Sequence, residues 1–207
     1  MKKILSLALI SAFIFSLNSF AGYNEKTVQK RAKQEAKELK KQGFEPQPGA
    51  LPLEMQLENC YKKQLDFDDE ELPKYYMGNA NTTGTNYDAA RMAAGHLART
   101  NLATEISTQI AQLITDKMGN KDLEDGVKAS ISQVTAKGKE LIVAKLSNTT
   151  PLMECFRKTD KGLYEVRIRI FYSKERADKQ ARAALRAELE KESDAAAKAL
   201  DQLMDEE

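Results

Sequence analysis

The chain has 207 residues, with 32 Lys and Arg against 31 Asp and Glu and a formal charge of +1. That balance gives no electrostatic case for nucleic acid and no clear one for anionic membrane surfaces. Trp is absent, which weighs against a carbohydrate surface built on stacking, and a mean hydropathy of −0.56 with 42% hydrophobic residues allows a core but requires much solvated helix.

Met1-Lys2-Lys3, then the apolar run Ile4 to Leu17, then Asn18-Ser19-Phe20-Ala21-Gly22 give the three parts of a secretory signal peptide. Ser19 and Ala21 occupy the −3 and −1 positions of a cleavage site before Gly22. The apolar run falls short of the roughly 20 residues that span a bilayer. No cysteine lies in the cleavage region, so attachment of lipid there is excluded. A short signal led by two lysines looks bacterial, and the expected destination is the periplasm or outer envelope. Residues 1–21 are thus expected to be removed, leaving no transmembrane span.

Asn24 is placed to cap a helix that Gly43 ends, with Val28, Ala32, Ala36 and Leu39 as its apolar stripe. Residues 43–53 hold three of the five prolines and read as an extended linker, so that 22–53 forms an N-terminal helix and linker. A short helix over 54–66 offers Met55, Leu57, Cys60, Tyr61 and Leu65 for burial. Phe67-Asp68-Asp69-Glu70-Glu71 lacks the alternating oxygen ligands and central glycine of a calcium loop and reads as a solvated turn. Residues 74–82 read as a strand that breaks up at Gly78, with Tyr76, Gly78 and Ala80 on one side. Asn86 or Asp88 then caps the clearest element, a helix carrying Ala89, Ala90, Ala93, Ala94, Leu97, Ala98, Leu102, Ala103, Ile106, Ile110, Leu113 and Ile114, many of them at three- and four-residue spacing. Its first half is paved with alanine, which suits close approach of a sheet.

After Gly119-Asn120, residues 121–138 read as a second helix, and Glu140 to Leu146 as a strand or the tail of that helix, with Leu141-Ile142-Val143 favouring the strand. Residues 152–158 and 163–172 form a hairpin about Thr159-Asp160-Lys161-Gly162. In its second strand Tyr164, Val166, Ile168, Ile170 and Tyr172 face one way, and Glu165, Arg167 and Arg169 the other. Ser173 caps a long helix over 173–207, thirty-odd residues and about 50 Å in extent, whose far half is free to project, to pair with the first helix or to form a coiled coil with a second chain; its stripe of alanines favours intramolecular or weak pairing. The expected fold class is α+β: a small antiparallel sheet packed against a long alanine-rich helix over 54–172, with flanking N- and C-terminal helices.

In an oxidising compartment Cys60 and Cys155 are read first as a disulfide, with two buried free thiols as the rival. A loop of almost a hundred residues closed in this way contributes about 4–5 kcal/mol in the chain-entropy model. Two sulfurs and one histidine make no zinc site, and no cofactor is expected. His96 is the one histidine and reads as a helix-surface residue. No nucleophile elbow, HExxH, P-loop or CxxC motif occurs. Among carboxylates near strands, Glu140, Glu154 and Glu165 are the candidates for an acid–base pair. A cleft between sheet and long helix near Tyr75, Tyr76 and His96 is the candidate ligand site.

From Tyr75 to Tyr172 a strand carrying Met77-Gly78-Asn79-Ala80 leads into Asp88-Ala89-Ala90-Arg91-Met92-Ala93-Ala94, then Leu97-Ala98-Arg99, Leu102-Ala103 and Ile106. A closing strand Tyr164-Glu165-Val166-Arg167-Ile168 follows. This pattern resembles the small envelope lipoproteins of the LPP-twenty type and the related N-terminal domain of the flagellar assembly protein FlgT. The resemblance covers about half the mature chain. It implies a non-catalytic α+β domain that assembles with or decorates envelope structures, and it supplies no catalytic residues. The lipid-bearing cysteine of those lipoproteins has no counterpart in this chain, so a lipid tether is not carried over. The expected role is a structural or protein-interaction module of the bacterial envelope, meeting an envelope protein or a second copy through the C-terminal helix. The alternative is a periplasmic binder of a small ligand.

Overall fold

A computed structural model describes residues 24–146 and 149–205. The expected signal peptide lies outside them. Among the described residues the chain runs α1 (Glu25–Lys41), β1 (Glu45–Pro46), α2 (Leu53–Gln64), β2 (Tyr75–Gly84), α3 (Tyr87–Gly119), α4 (Asp125–Ala136), α5 (Gly138–Lys145), β3 (Pro151–Lys158), β4 (Tyr164–Ser173), α6 (Lys174–Glu192) and α7 (Asp194–Asp205). The fold is α+β, with seven helices and one four-stranded antiparallel sheet in the order β1-β3-β4-β2.

Alternation along the strands gives the sheet two faces. On one, Tyr76, Gly78 and Ala80 of β2 stand in register with Tyr172, Ile170 and Ile168 of β4 and pack on α3. The alanines of α3 permit this approach: Ala90, Ala94 and Ala98 are fully buried. Gly78 does not break the strand, which continues to Gly84. A Cβ at Gly78 would stand 2.2 Å from the Ala98 carbonyl oxygen and 2.8 Å from Leu102 Cβ, so the absent side chain is what lets helix and strand touch. The cap of α3 is Asn86, whose Oδ1 accepts from the Ala89 N–H at 2.8 Å.

The opposite face carries Met153 and Cys155 and is covered by α1 and α2, which bury Ala32, Ala36, Leu39, Leu53, Leu57 and Cys60 against it. The sheet is therefore a middle layer between two helical layers. Glu45 and Pro46, inside the segment expected to be a linker, pair with Phe156 and Cys155 as an edge strand. An edge tolerates proline, because its missing N–H faces outward. At the other edge α3 covers β2: Asn101 Nδ2 donates to the Asn79 carbonyl at 2.8 Å, and the Met77 N–H donates to Glu105. Such covering blunts an open sheet edge.

Two further expectations fail. Residues 138–145 are helix, not strand: Gly138, Ile142 and Leu146, four residues apart, are buried, while Leu141 and Val143 are half-buried. Burial along a helical stripe overrides the local preference of a β-branched pair. The long terminal helix is two helices. Ser193 takes an extended conformation (φ −162°, ψ 114°), and its Oγ accepts from the Ala196 N–H at 3.2 Å. α7 then folds back on α6, where Asp201 receives Arg182 at 3.2 Å and Arg186 at 2.7 Å. Ala196, Ala197, Leu200 and Leu203 enter the main core, so the stripe offered to a second chain is occupied within the fold.

Candidate functional site: a polar cleft on the α1–α2 face

The expected cleft near Tyr75, Tyr76 and His96 does not assemble. Neighbours in a strand point to opposite faces. The Tyr76 hydroxyl donates to Asp178 Oδ1 on α6 at 2.9 Å, and burial pushes its pKa up. Tyr75 takes a hydrogen bond from Lys63, whose ammonium lies 3.7 Å from the ring centroid. His96 is exposed on α3. Between them the sheet and α3 are packed to contact at Gly78.

Nor do the candidate carboxylates converge. Glu140 is on α5. Glu154 pairs in register with Ile168 and lies on the α3 face, whereas Glu165 lies on the α1–α2 face. Glu154 accepts from Arg91 at 2.8 Å and from the Tyr87 hydroxyl. Glu165 accepts from Arg157 at 2.6 Å and Asn81 at 2.8 Å. Burial alone would lift the Glu165 carboxyl, but these hydrogen bonds hold it below the usual carboxylate range. Asp68 of the acidic loop accepts from the Glu70 and Leu72 N–H groups at 3.1 and 2.8 Å, a turn closed on itself.

Cys60 and Cys155 lie in the same small core beneath α2, both buried and both free thiols, so the expected disulfide is not a feature of this structure. Burial pushes each thiol up to about 12, which leaves almost no nucleophilic thiolate at neutral pH.

A cavity does form between α1, α2 and the β2–β4 side of the sheet. It measures about 600 Å³ and is lined by Arg31, Gln34, Glu35 and Glu38 from α1, Tyr61, Gln64 and Leu65 from α2, and Met77, Asn79 and Arg169 from the sheet. At its floor Arg169 forms a two-pronged pair with Glu35, with Nη1 at 3.3 Å from Oε2 and Nη2 bonded to Oε1. The Tyr61 hydroxyl donates to Glu35 Oε2 at 2.7 Å. Burial and this hydrogen bond push Tyr61 up to about 12. Burial opposes the charge on Arg169, yet Glu35 outweighs it and raises the arginine above its ordinary value. One carboxylate thus ties together α1, α2 and β4.

On the same face of the sheet the Phe44 ring meets two guanidinium groups, Arg167 at 4.2 Å and Arg157 at 4.9 Å from its centroid. Sequence reading missed Glu35, Tyr61 and Arg169 as a unit, because the polar side of β4 reads as solvent-facing. A usable signal was Glu35 itself, directly preceding Ala36 of the buried stripe on α1.

Three carboxylates, Glu35, Glu154 and Glu165, are each held by arginine and by a neutral donor, Glu165 by two arginines, Arg157 and Arg167. The pairs at Glu35 and Glu154 tie the sheet to the helices on either side of it. Among the described residues no group of three His, Cys, Asp or Glu could hold a metal ion, and no helix is long and apolar enough to cross a membrane. Comparison of the chain with protein-family models, curated proteins and solved structures found no match.

Proposed function

We propose that the chain is a non-catalytic module of the bacterial envelope, exported by its N-terminal signal and acting through protein contacts. The observation that carries the reading is the arginine clamp on Glu35, Glu154 and Glu165. A nucleophile needs an open approach, which a carboxylate bound by an arginine and a second donor does not offer. The resemblance of residues 75–172 to LPP-twenty-type and FlgT N-terminal domains supports a place among envelope assemblies.

The test is cross-linking in intact cells followed by capture of the tagged chain from envelope fractions. A reproducible envelope protein bound to it is the expected result. A chain recovered uncross-linked and freely soluble across growth conditions contradicts the reading.

The cavity of about 600 Å³ favours a second reading, a small-ligand binder on the α1–α2 face. Its arginines, carboxylates and tyrosine hydroxyl suit a polar ligand carrying both charges. Mass spectrometry of the natively purified chain would reveal such a ligand, and E35Q would release it. A ligand-free chain whose melting temperature no polar metabolite raises removes this alternative.

A further inference from the structure

The net charge of +1 conceals a separation. α1 carries seven basic residues against three acidic ones, whereas residues 42–207 carry 23 Lys and Arg against 28 Asp and Glu. The basic charge is also ordered. Opposite the buried stripe of α1, Lys26, Lys30, Lys33, Lys37 and Lys40 recur at steps of four and three, which sets them in one row along the helix. All five are exposed, and among the described residues none has a carboxylate partner at ion-pair distance. Two of the three acids of this helix are turned elsewhere: Glu35 binds Arg169, and Glu38 accepts from Gln34.

Apolar surface accompanies the row. A hollow of about 440 Å³ opens between α1 and the start of α2, with Ala36 in its lining, lysines from α1 around it and Glu54 at its far side. Leu51 and Met55, on either side of Glu54 in the chain, are 50% and 49% exposed. A soluble polyanion would use the lysines and gain nothing from Leu51 and Met55. An anionic bilayer uses both, with phosphates for the ammonium groups and the acyl boundary for the apolar side chains.

We propose that this face docks on the surface of a bilayer rich in anionic phospholipid, with the lysine row on headgroup phosphates and Leu51 and Met55 entering the interface. The proposal rests on the envelope reading only for which membrane is met. Docking leaves the Glu35–Arg169 cavity on the side of α1 turned toward the sheet.

The mature chain, residues 22–207, is mixed with sedimentable vesicles of phosphatidylglycerol and phosphatidylethanolamine, or of phosphatidylcholine alone. Binding to the anionic vesicles alone, weakened by salt, is expected. K33Q/K37Q/K40Q should reduce partitioning on the order of a hundredfold. L51S/M55S should reduce it several-fold while leaving the weaker binding of inorganic polyphosphate unchanged. All of these side chains are exposed, and circular dichroism verifies that each variant is folded. Equal binding to phosphatidylcholine, or indifference to the lysine substitutions, overturns the proposal. So does a chain that binds polyphosphate as tightly as vesicles with L51S/M55S harmless, which marks a soluble-polyanion site. Failure on vesicles leaves the cross-linking test of the protein partner standing, so the two readings fall separately.

Discussion

Gly78 and Gly95 show how one residue type does opposite things at two places. At Gly78 a methyl group meets the Ala98 carbonyl at 2.2 Å, and a backbone atom cannot swing aside. G78A is expected to destabilise the chain by about 3 kcal/mol, the upper end for overpacking. Gly95 lies mid-helix in α3, where an added Cβ meets only the end of the Arg99 side chain at 3.7 Å. G95A should therefore stabilise by about 0.5–1 kcal/mol, since alanine holds a helix better than glycine. Urea midpoints check both, and equal effects of the two substitutions would contradict the packing described. Buried acids set the pH response. Cys60 and Cys155 rise from 9.0 to about 12 through burial, and Tyr61 from 10.0 to about 12. In each the folded chain holds the proton more tightly than the unfolded one. Their contribution is full below pH 9.0 and is lost as pH climbs toward 12. Urea midpoints should fall steadily above about pH 9, and less steeply in C60A/C155A. A thiol reagent should find two thiols in denaturant and none that react quickly in the native chain. No thiols in denaturant would establish the disulfide and contradict the free pair.

At the level of elements, what was legible depended on whether local pattern and tertiary burial agreed. β4 and its hairpin were readable because their periodicity is also their burial pattern, and so was the inner row of α3, although Ala89, Ala93, Leu97 and Leu113 of that helix are exposed. Residues 138–145 were not, since Leu141-Ile142-Val143 carries a strand signal that only the helical spacing of Gly138, Ile142 and Leu146 overrules. β1 was hidden because its two residues owe their conformation to the edge of β3 and carry no pattern of their own. The break between α6 and α7 did have a signal. The stripe skips from Leu189 to Ala196, and Ser193-Asp194 in the gap is an ordinary helix start. Ser193→Ala should cost about 1 kcal/mol through loss of the cap on α7. Proteolysis within 194–205 should become faster in that variant. An unchanged cleavage rate would show that the cap does not hold the helical hairpin together.

Across the whole molecule the sheet is clamped between helical layers by charge as well as by apolar packing. The sequence shows which side of β4 is polar, yet not that α1 lies over it, because Glu35 and Arg169 meet across 134 residues of chain. The same holds for the candidate site. Tyr75, Tyr76 and His96 are close in a coarse reading but diverge once strand faces are assigned, and the cavity forms on the opposite side of the sheet. The segregation of lysines onto α1 was present in the sequence and masked by the balanced total. The central claim is an exported envelope module, and its most direct test is the intact mass of the chain recovered from separated cell fractions. An envelope or periplasmic species that begins at Gly22 and carries no lipid is the expected result. A cytoplasmic species that retains Met1-Lys2-Lys3 would contradict it.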